Sequence, residues 1–328
     1  MSFKVTAKMI KNSVYSVDTS NLAVLTVTFN PDFERLRQQI AALPTNCHLV
    51  VVDNASSADA KAALENLLTN HPKTALIRNK SNLGLAAALN QAATHARTQI
   101  PPAEFILLMD QDSVPAPGAI DNLLGAYLDL ESQGLPVGCV GPRLIDNMTG
   151  LQHGFHCIKG WRWTRVYPAE DSRNPVRCTN LNGSGTLMCA EFFQTLGGLD
   201  EAFFIDHVDT EWAFRVLSHN RLLFGIPWAR FDHSMGDRGL RFWCFGWRVW
   251  PQRSPRRHYF LFRNAVWLMR KKYVPLVWKV WAAIKLALTA TVHLTIDHQR
   301  SNQLREMFSG LKNGVFEHKK PLGGQRKI

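Results

Sequence analysis

The chain has 328 residues, of which 46% are hydrophobic and 20% are charged, so it suits one large domain or a domain plus an appendage and excludes a disordered chain. The first residues lack the apolar core of a signal peptide, and the six scattered cysteines form no Cys-x-x-Cys pair, so we expect a cytosolic protein with reduced thiols. The net charge of +12 calls for an anionic partner or a solvated basic face.

The first half of the chain alternates strand and helix patterns. Apolar, β-branched runs predict strands, and amphipathic or alanine-rich segments predict helices between them. The strands are predicted at Ala23–Phe29, His48–Asp53, Thr74–Arg78 and Phe105–Asp110, and the helices at Asp32–Leu43, from Ser56 or Ser57 to Leu68, and up to Ala96. This order predicts a doubly wound, mainly parallel α/β sheet with right-handed crossovers.

The second half is less regular. Residues 150–178 are rich in aromatic and charged side chains, as is typical of insertions that contact a substrate. The further predicted elements are a helix at Pro117–Glu131, a strand at Val137–Pro142, helices at Glu191–Leu196 and Asp209–Ser218, a strand at Leu222–Gly225, a loop around His233, and C-terminal helices at Tyr259–Tyr273 and Leu276–Thr295.

The C-terminal stretch concentrates positive charge and tryptophan, a combination that suits an anionic membrane surface at least as well as nucleic acid. A solvated basic face over core tryptophans is the alternative interpretation. The apolar segment 274–296 is interrupted by Lys279 and Lys285, so we predict a peripheral or packed helix rather than a membrane span.

Polar residues follow three of the predicted strands. Asp53 ends the second strand, Asn82–Gly84 follows the third, and Asp110 and Asp112 follow the fourth. Because ligands of open α/β sheets bind at the carboxyl ends of the strands, we expect these residues to converge on one ligand. Two acids one residue apart suit a hard divalent cation that holds a phosphate-bearing ligand. The chain lacks G-x-G-x-x-G after its first strand and a G-x-x-x-x-G-K-[ST] motif, which counts against dinucleotide oxidoreductases and P-loop NTPases.

Five segments share their pattern with one known family. They are Val24–Pro31 (VLTVTFNP), Val51–Ser57 (VVDNASS), Asn82–Asn90 (NLGLAAALN), Leu107–Pro115 (LLMDQDSVP) and Phe204–Arg215 (FIDHVDTEWAFR). Together they resemble the family-2 glycosyltransferases of GT-A fold, and within them the bacterial rhamnosyltransferases of cell-surface polysaccharide (O-antigen-like) assembly. The resemblance covers roughly residues 22–270. It implies a dTDP-L-rhamnose donor, a divalent cation (Mg²⁺ or Mn²⁺) and transfer with inversion.

The resemblance also implies metal-binding roles. Asp112 would bind the metal directly, Asp110 would bind the donor ribose or the metal, and His233 would complete the coordination. Alternatively, the two aspartates stabilise a turn, and the histidine makes a hydrogen bond with a purely structural role. The candidates for the leaving diphosphate are Arg257, His258, Tyr259 and Arg263, since arginine recognises phosphate oxygens bidentately, although the two arginines also suit acidic lipid.

The donor nucleotide would lie against the first strand ends. Asp53 resembles the family residue that hydrogen-bonds the pyrimidine, with Thr28 and Asn30 lining the same pocket. Asn82 and Gly84 are predicted to contact the donor as well. The alternative for Asp53 is a turn acid, and for the Asn82–Gly84 segment a helix start that needs the conformational freedom of glycine.

The acceptor hydroxyl needs a general base beside the anomeric carbon, and Asp206, Asp209 and Glu211 are the candidates. On a helix, Asp206 and Asp209 share a face while Glu211 pairs with Arg215. The family pattern, a short acidic motif before Trp and Arg, makes Asp209 the predicted base; acids that stabilise a helix dipole are the alternative. We interpret Asn182–Gly185 as a loop whose glycines let the backbone come close to a donor or acceptor sugar.

We therefore predict three parts: an N-terminal extension (residues 1–21), a catalytic domain (22–235), and a basic, Trp-rich helical region (236–328) that contacts a membrane. The predicted enzyme is a cytoplasmic rhamnosyltransferase, peripheral on the inner face of the membrane, with a lipid-linked saccharide acceptor and no nucleic-acid partner. The alternatives are another donor, hexosyl or galactofuranosyl, on the same fold, or a non-catalytic lipid- or nucleic-acid-binding module. A non-catalytic module does not require Asp110, Asp112, Asp209 and His233 to converge.

Overall fold

One large β-sheet flanked by helices organises the chain in a computed structural model, which describes residues 17–69, 71–99, 101–146, 150–233, 239–243, 247–251 and 253–317. Each of the four strands predicted in the first half is present within one residue of its predicted bounds. The first elements are β1 (Leu22–Thr28), α1 (Phe33–Ala41), β2 (His48–Asp53), α2 (Ala58–Leu68), β3 (Thr74–Arg78), α3 (Leu85–Arg97), β4 (Phe105–Asp110), β5 (Val114–Pro115) and α4 (Ala119–Ser132).

The second half contributes the rest of the sheet and the C-terminal helices. Its elements are β6 (Val137–Asp146), β7 (Phe155–Lys159), β8 (Arg162–Val166), β9 (Val176–Cys178), β10 (Thr186–Cys189), α5 (Ala190–Thr195), α6 (Val208–Ser218), β11 (Leu222–His233), β12 (Gly239–Trp243), β13 (Trp247–Pro251), α7 (Pro255–Arg270), α8 (Leu276–Ile296) and α9 (Arg300–Phe316). The strands β7 to β9 lie in the segment predicted to be irregular, and α9 was not predicted.

The sheet has nine strands in the order β3-β2-β1-β4-β10-β6-β11-β5, with β9 paired to β11. Strand β1 runs parallel to β2 and β4, and β6 runs parallel to β11, whereas β10 is antiparallel to both neighbours. The predicted doubly wound, mainly parallel sheet is therefore confirmed. Strand order reverses at β1 and β4, and such a switch point opens a crevice for ligands at the carboxyl ends of the two strands.

Alternate residues of β1 fill two separate cores. Ala23 and Leu25 pack on the side of α3, whereas Leu22 and Val24 pack with Leu36 of α1 on the opposite side. All five side chains are fully buried. A sheet covered on both faces leaves its strand ends as the place where side chains meet solvent and ligands.

The C-terminal helices are attached to the part of the chain that forms the large sheet. Asn264 of α7 donates hydrogen bonds to the carbonyls of Phe203, Ile205 and Asp206 at 2.7, 2.7 and 2.9 Å. The division into three parts stays a prediction. Residues 1–16 of the predicted extension, and residues 234–238 at the predicted boundary, lie outside the described residues.

A buried carboxylate strengthens that attachment. Glu211 of α6, whose side chain is 1% exposed, forms the predicted pair with Arg215 at 2.8 Å, lies 3.1 Å from the amine of Lys271, and accepts a hydrogen bond from the Tyr273 hydroxyl. Four buried or half-buried polar groups thus satisfy one another where α6 meets the end of α7.

We expect Glu211→Gln to lower the free energy of unfolding by about 3 kcal/mol, because breaking a buried ion pair leaves its partners Arg215 and Lys271 uncompensated. Thermal or urea denaturation measures this loss. The matched control is Glu34→Gln, which removes an exposed pair with Arg37 that contributes at most about 1 kcal/mol. Equal stabilities of the two variants would contradict a stabilising role for the buried cluster.

Candidate active site

Two carboxylates and one imidazole meet at the sheet edge although up to 123 positions separate them in the chain. Asp110 ends β4, Asp112 follows it, and His233 ends β11 rather than lying in the predicted loop. Ligand atoms of all three lie within 4.8 Å of one another, and His233 Nδ1 is 3.5 Å from Asp112 Oδ1. Carboxylate oxygens with an imidazole nitrogen fit a divalent cation such as Mn²⁺ or Mg²⁺.

A chain of hydroxyl groups positions this cluster from behind. The Asp110 amide donates to Ser184 Oγ at 3.3 Å, Ser184 Oγ donates to Ser113 Oγ at 2.5 Å, and a 2.7 Å hydrogen bond joins Ser113 to His233 Nδ1. Gln39 Nε2 donates to the carbonyls of Asp110 and Ser113, both at 2.6 Å. The sequence analysis missed these supporting groups; a glutamine on the apolar face of α1 was the available signal.

The charge on the cluster is costly in the absence of a cation. Burial raises the pKa of Asp110 and the Asp112 carboxylate raises it further, while His233 and Arg257 oppose the shift. Two carboxylates this close repel each other, and burial adds to the cost of their charge. A bound cation lowers the electrostatic energy most in such a place.

Asp209 lies at the same site. It is in the first turn of α6, where its Oδ1 accepts from the Thr210 amide at 2.7 Å, and a Cβ on Gly183 would lie 3.9 Å from the Asp209 Cβ. Burial raises the pKa of Asp209 to about 6, and the nearby carboxylates of Asp110 and Asp206 add to the shift. A half-buried carboxyl group that titrates near neutrality suits proton abstraction.

Asp206 is in a different environment from Asp209. It precedes α6 at φ 59°, so the two acids do not share the helix face that the sequence predicted. Its carboxylate is 3.2 Å from Arg257 Nε and 3.7 Å from Arg253 Nη1. Burial alone would raise its pKa, but the two guanidinium groups outweigh burial and hold the pKa of Asp206 below its usual value. A carboxylate neutralised in this way is a poor base.

Arg263 requires a correction. Its side chain is 2% exposed, and its guanidinium donates to the Ala202 carbonyl at 2.8 Å and to Asn264 Oδ1 at 2.9 Å, over the ring of Trp267. These contacts hold the Arg263 side chain in the packing around α7. The predicted contact between Arg263 and the diphosphate therefore does not fit the structure. Arg257, which is half exposed and lowers the pKa of Asp110, is the arginine that faces the cluster.

The first strand ends form a hydrogen-bonded wall beside the carboxylates. Asp53 is fully buried, and its oxygens accept from Thr28 Oγ1 at 3.4 Å and from the Ser56 amide at 3.3 Å. Asn30, at φ 45°, accepts from the Ser57 amide at 2.9 Å. Asp53 and Thr28 therefore stabilise these loops from their buried side, whereas Asn30 is exposed at the edge of the site.

Asn54 joins the second and third strand ends. Its Nδ2 donates to Asn82 Oδ1 at 2.9 Å and to the Gly84 carbonyl at 3.2 Å, so the ends of β2 and β3 meet at this residue. Gly84 has φ +88°, and a Cβ there would come within 2.5 Å of the Phe204 ring, so this position excludes other residues. Sequence reasoning missed Asn54, although it lies next to Asp53.

Two solved structures share this fold. The mannosyltransferase PcManGT from Pyrobaculum calidifontis, in complex with GDP-Man and Mn²⁺, aligns with a TM-score of 0.53 at 16% identity over 92% of this chain and 90% of its own. GalNAc-T7 with UDP, GalNAc and Mn²⁺ aligns with a TM-score of 0.54 at 17% identity over 90% of this chain and 56% of its own. The fold is the GT-A fold of these glycosyltransferases.

The sequence comparisons identify the family. The model of Glycosyl transferase family 2 matches residues 24–194. The dTDP-rhamnosyl transferase RfbF of Shigella flexneri is 32% identical over 84% of this chain and 88% of its own length. The N-acetylglucosaminyl-diphospho-decaprenol L-rhamnosyltransferase of Mycobacterium tuberculosis is 26% identical over 66% of this chain and 76% of its own. The chain belongs to glycosyl transferase family 2, and the predicted enzyme class is confirmed.

Proposed function

We propose that this enzyme transfers L-rhamnose from dTDP-L-rhamnose to a saccharide acceptor in cell-surface polysaccharide synthesis, with inversion at the anomeric carbon. The observation that carries the proposal is the convergence of Asp110, Asp112, His233 and Asp209 at the switch point of the sheet. The identity with RfbF supports the choice of donor. A non-catalytic lipid- or nucleic-acid-binding module would not require this convergence.

Asp112 and His233, with Asp110, are proposed to hold a divalent cation, Mg²⁺ or Mn²⁺. When bound, the cation neutralises charge that develops on the departing nucleoside diphosphate. Arg257 adds a fixed positive charge on the same side. The ligand atoms already lie within 4.8 Å of one another, so the site needs little rearrangement to bind an ion.

The donor nucleotide is proposed to lie along the wall of the first strand ends, with Asn30 and Asn82 at its rim. Asp53, Thr28 and Gly84 shape this wall from within. A direct hydrogen bond from the pyrimidine to Asp53 stays a prediction, since it requires the pyrimidine to reach a carboxylate that is fully buried.

Asp209 is proposed to take the proton from the acceptor hydroxyl as the hydroxyl oxygen bonds to the anomeric carbon. Glycosyl transfer passes through an oxocarbenium-like transition state, so a base that acts on the face opposite the leaving diphosphate gives inversion. The raised pKa of Asp209, about 6, leaves it ionised and still basic at neutral pH.

A screen of nucleotide sugars tests the donor. We expect the purified protein to hydrolyse dTDP-L-rhamnose slowly in the presence of Mg²⁺ or Mn²⁺, and to lose this activity in EDTA. If the enzyme prefers a hexosyl or galactofuranosyl nucleotide, the proposed donor would be wrong but the enzyme class would be unchanged. Metal-independent hydrolysis would contradict the proposed cation.

A lipid-linked acceptor and a contact with the membrane surface are also proposed. The decaprenol-linked substrate in the name of the Mycobacterium tuberculosis relative supports an acceptor carried on a polyprenyl diphosphate. Within the described residues, α8 alone is long and apolar enough to cross a membrane, a weak indication by itself. Trp278 and His293 of α8 are buried in the protein, so we propose that the helix lies on the inner membrane face.

Two apolar stripes on α8 and α9 are proposed to make that contact. They repeat every three or four residues, as one face of a helix does, and each side chain is between 37% and 66% exposed. The stripes are Leu276, Val280, Ile284 and Leu288 on α8, and Leu304, Phe308, Leu311 and Val315 on α9. Arg305 and Lys312 are exposed on α9, where they suit an anionic lipid surface.

We expect the triple variant Val280→Ser, Ile284→Ser and Leu288→Ser to weaken binding to vesicles containing phosphatidylglycerol at least about tenfold, because it removes apolar area that would insert into the lipid. Co-sedimentation measures the partition. The control is Leu128→Ser, which changes an exposed leucine on α4. Equal partitioning of the triple variant and the wild-type protein would contradict the proposed membrane face.

A further inference from the structure

A cleft beside the Asn182–Gly185 loop encloses about 430 Å³, part of it open to solvent. Its walls are the second half of β6, the start of β7 with the residues before it, and the segment that leads to Asn182. The family resemblance assigned no residue on the β6 and β7 walls.

Three polar atoms that border the cleft have no hydrogen-bond partner among the described residues. They are Arg143 Nε, His153 Nδ1 and Asn180 Oδ1. Arg143 is 6% exposed and Asn180 is 7% exposed, so water does not freely replace the missing partners. A buried polar group without a partner destabilises the protein, and a ligand with matching donors and acceptors recovers that free energy.

The unpaired groups suit neutral hydroxyls. Burial, with the nearby charge of Arg165, lowers the pKa of His153 to about 4, so its ring is neutral at physiological pH and offers one donor and one acceptor. Asn180 offers an acceptor, and Arg143 offers a donor that is held in place because its Nη2 already donates to the Ala169 carbonyl at 2.6 Å. A hydroxyl both donates and accepts, so a sugar ring can pair with all three.

The cleft adjoins the proposed base. Asn182 and Ser184 line it, Gly183 between them faces Asp209, and Ser184 hydrogen-bonds the amide of Asp110. The Asn182–Gly185 loop would therefore lie between a sugar ring in this cleft and the carboxylates of Asp209, Asp110 and Asp112.

We propose that this cleft is the acceptor site, in which Arg143, His153 and Asn180 hydrogen-bond the hydroxyls of the acceptor sugar. The proposal rests on the proposed glycosyl transfer and specifies where its second substrate binds. A donor sugar offers the same hydroxyl chemistry, and the experiment separates the two because donor hydrolysis needs no acceptor.

The test is His153→Phe, which fills the same space but removes the ring nitrogens, measured with a soluble glycoside acceptor. We expect the acceptor KM to rise at least tenfold while the donor KM and the rate of donor hydrolysis without acceptor stay within twofold of wild type. The control is His219→Ala, an exposed histidine at the far end of α6 that should change neither constant.

A raised donor KM in His153→Phe would assign the cleft to the donor sugar, and an unchanged acceptor KM would remove the cleft from the reaction; either result overturns the proposal. If His153→Phe does not fold, as judged by its melting temperature, Asn180→Leu, which removes the acceptor oxygen at similar volume, serves with the same expected result. A wild-type protein that uses no nucleotide sugar would contradict the proposed function itself, whereas an active wild type with unaffected cleft variants would contradict only this inference.

Discussion

Asp112→Asn is expected to reduce transfer by about a thousandfold and to abolish the dependence of donor binding on a divalent cation. The substitution removes one anionic ligand from a site of two carboxylates and an imidazole, and stabilisation of the leaving diphosphate by a cation contributes several kcal/mol. The side chain of Asp112 is 34% exposed, so we expect the melting temperature to change little. Turnover and calorimetric titration of the donor with and without Mn²⁺ measure the effect.

Asp232→Asn provides the matched control. Asp232 precedes His233 on β11, but it is 41% exposed and lies 3.3 Å from Arg230 instead of joining the carboxylate cluster. Its replacement should leave turnover and metal dependence unchanged. Normal turnover in Asp112→Asn, or an equal loss in Asp232→Asn, would contradict the metal assignment.

The strand ends could be predicted from the sequence because each follows a short apolar run of the length of a buried strand. In a parallel sheet the direction of the strands then brings Asp53, Asn82 and Asp110 to one edge without further information. The alternation of Ala23 and Leu25 with Leu22 and Val24 likewise follows from the strand geometry alone.

The rest of the site depends on contacts between segments far apart in the chain. Ser184 joins Ser113 across 71 positions, and neither residue has a local pattern that indicates this bond. Arg263 illustrates the opposite error: its charge matched a phosphate, but the aromatic rings and carbonyls around it are recognisable only in three dimensions. Similarly, β7 alternates buried and half-buried side chains while β8 has only half-buried and exposed ones, and Arg162 and Arg165 interrupt the apolar pattern of β8 in the sequence.

Asp209→Asn is expected to lower the rate of transfer about 100- to 10,000-fold, because it removes the proposed acceptor of the hydroxyl proton while it keeps the shape of the side chain. Donor binding and its metal dependence should persist, in contrast to Asp112→Asn. For the wild type, kcat/KM should fall tenfold per pH unit below about pH 6, where Asp209 becomes protonated, and a bound cation should move this limb to lower pH.

The raised pKa of Asp209 also predicts an effect on stability that is independent of catalysis. The pKa of Asp209 is about 6 in the folded chain against 3.8 ordinarily, so the folded state disfavours the ionised form and loses stability as the pH rises from 4 to 6. At pH 8 in EDTA, Asp209→Asn should therefore unfold at a higher temperature than the wild type, by at most about 3 kcal/mol in free energy, and the difference should vanish near pH 4. A variant that is inactive but no more stable at pH 8 would show that the lost carboxylate was not held in a desolvated site, and the acid limb of the rate profile would then need another group.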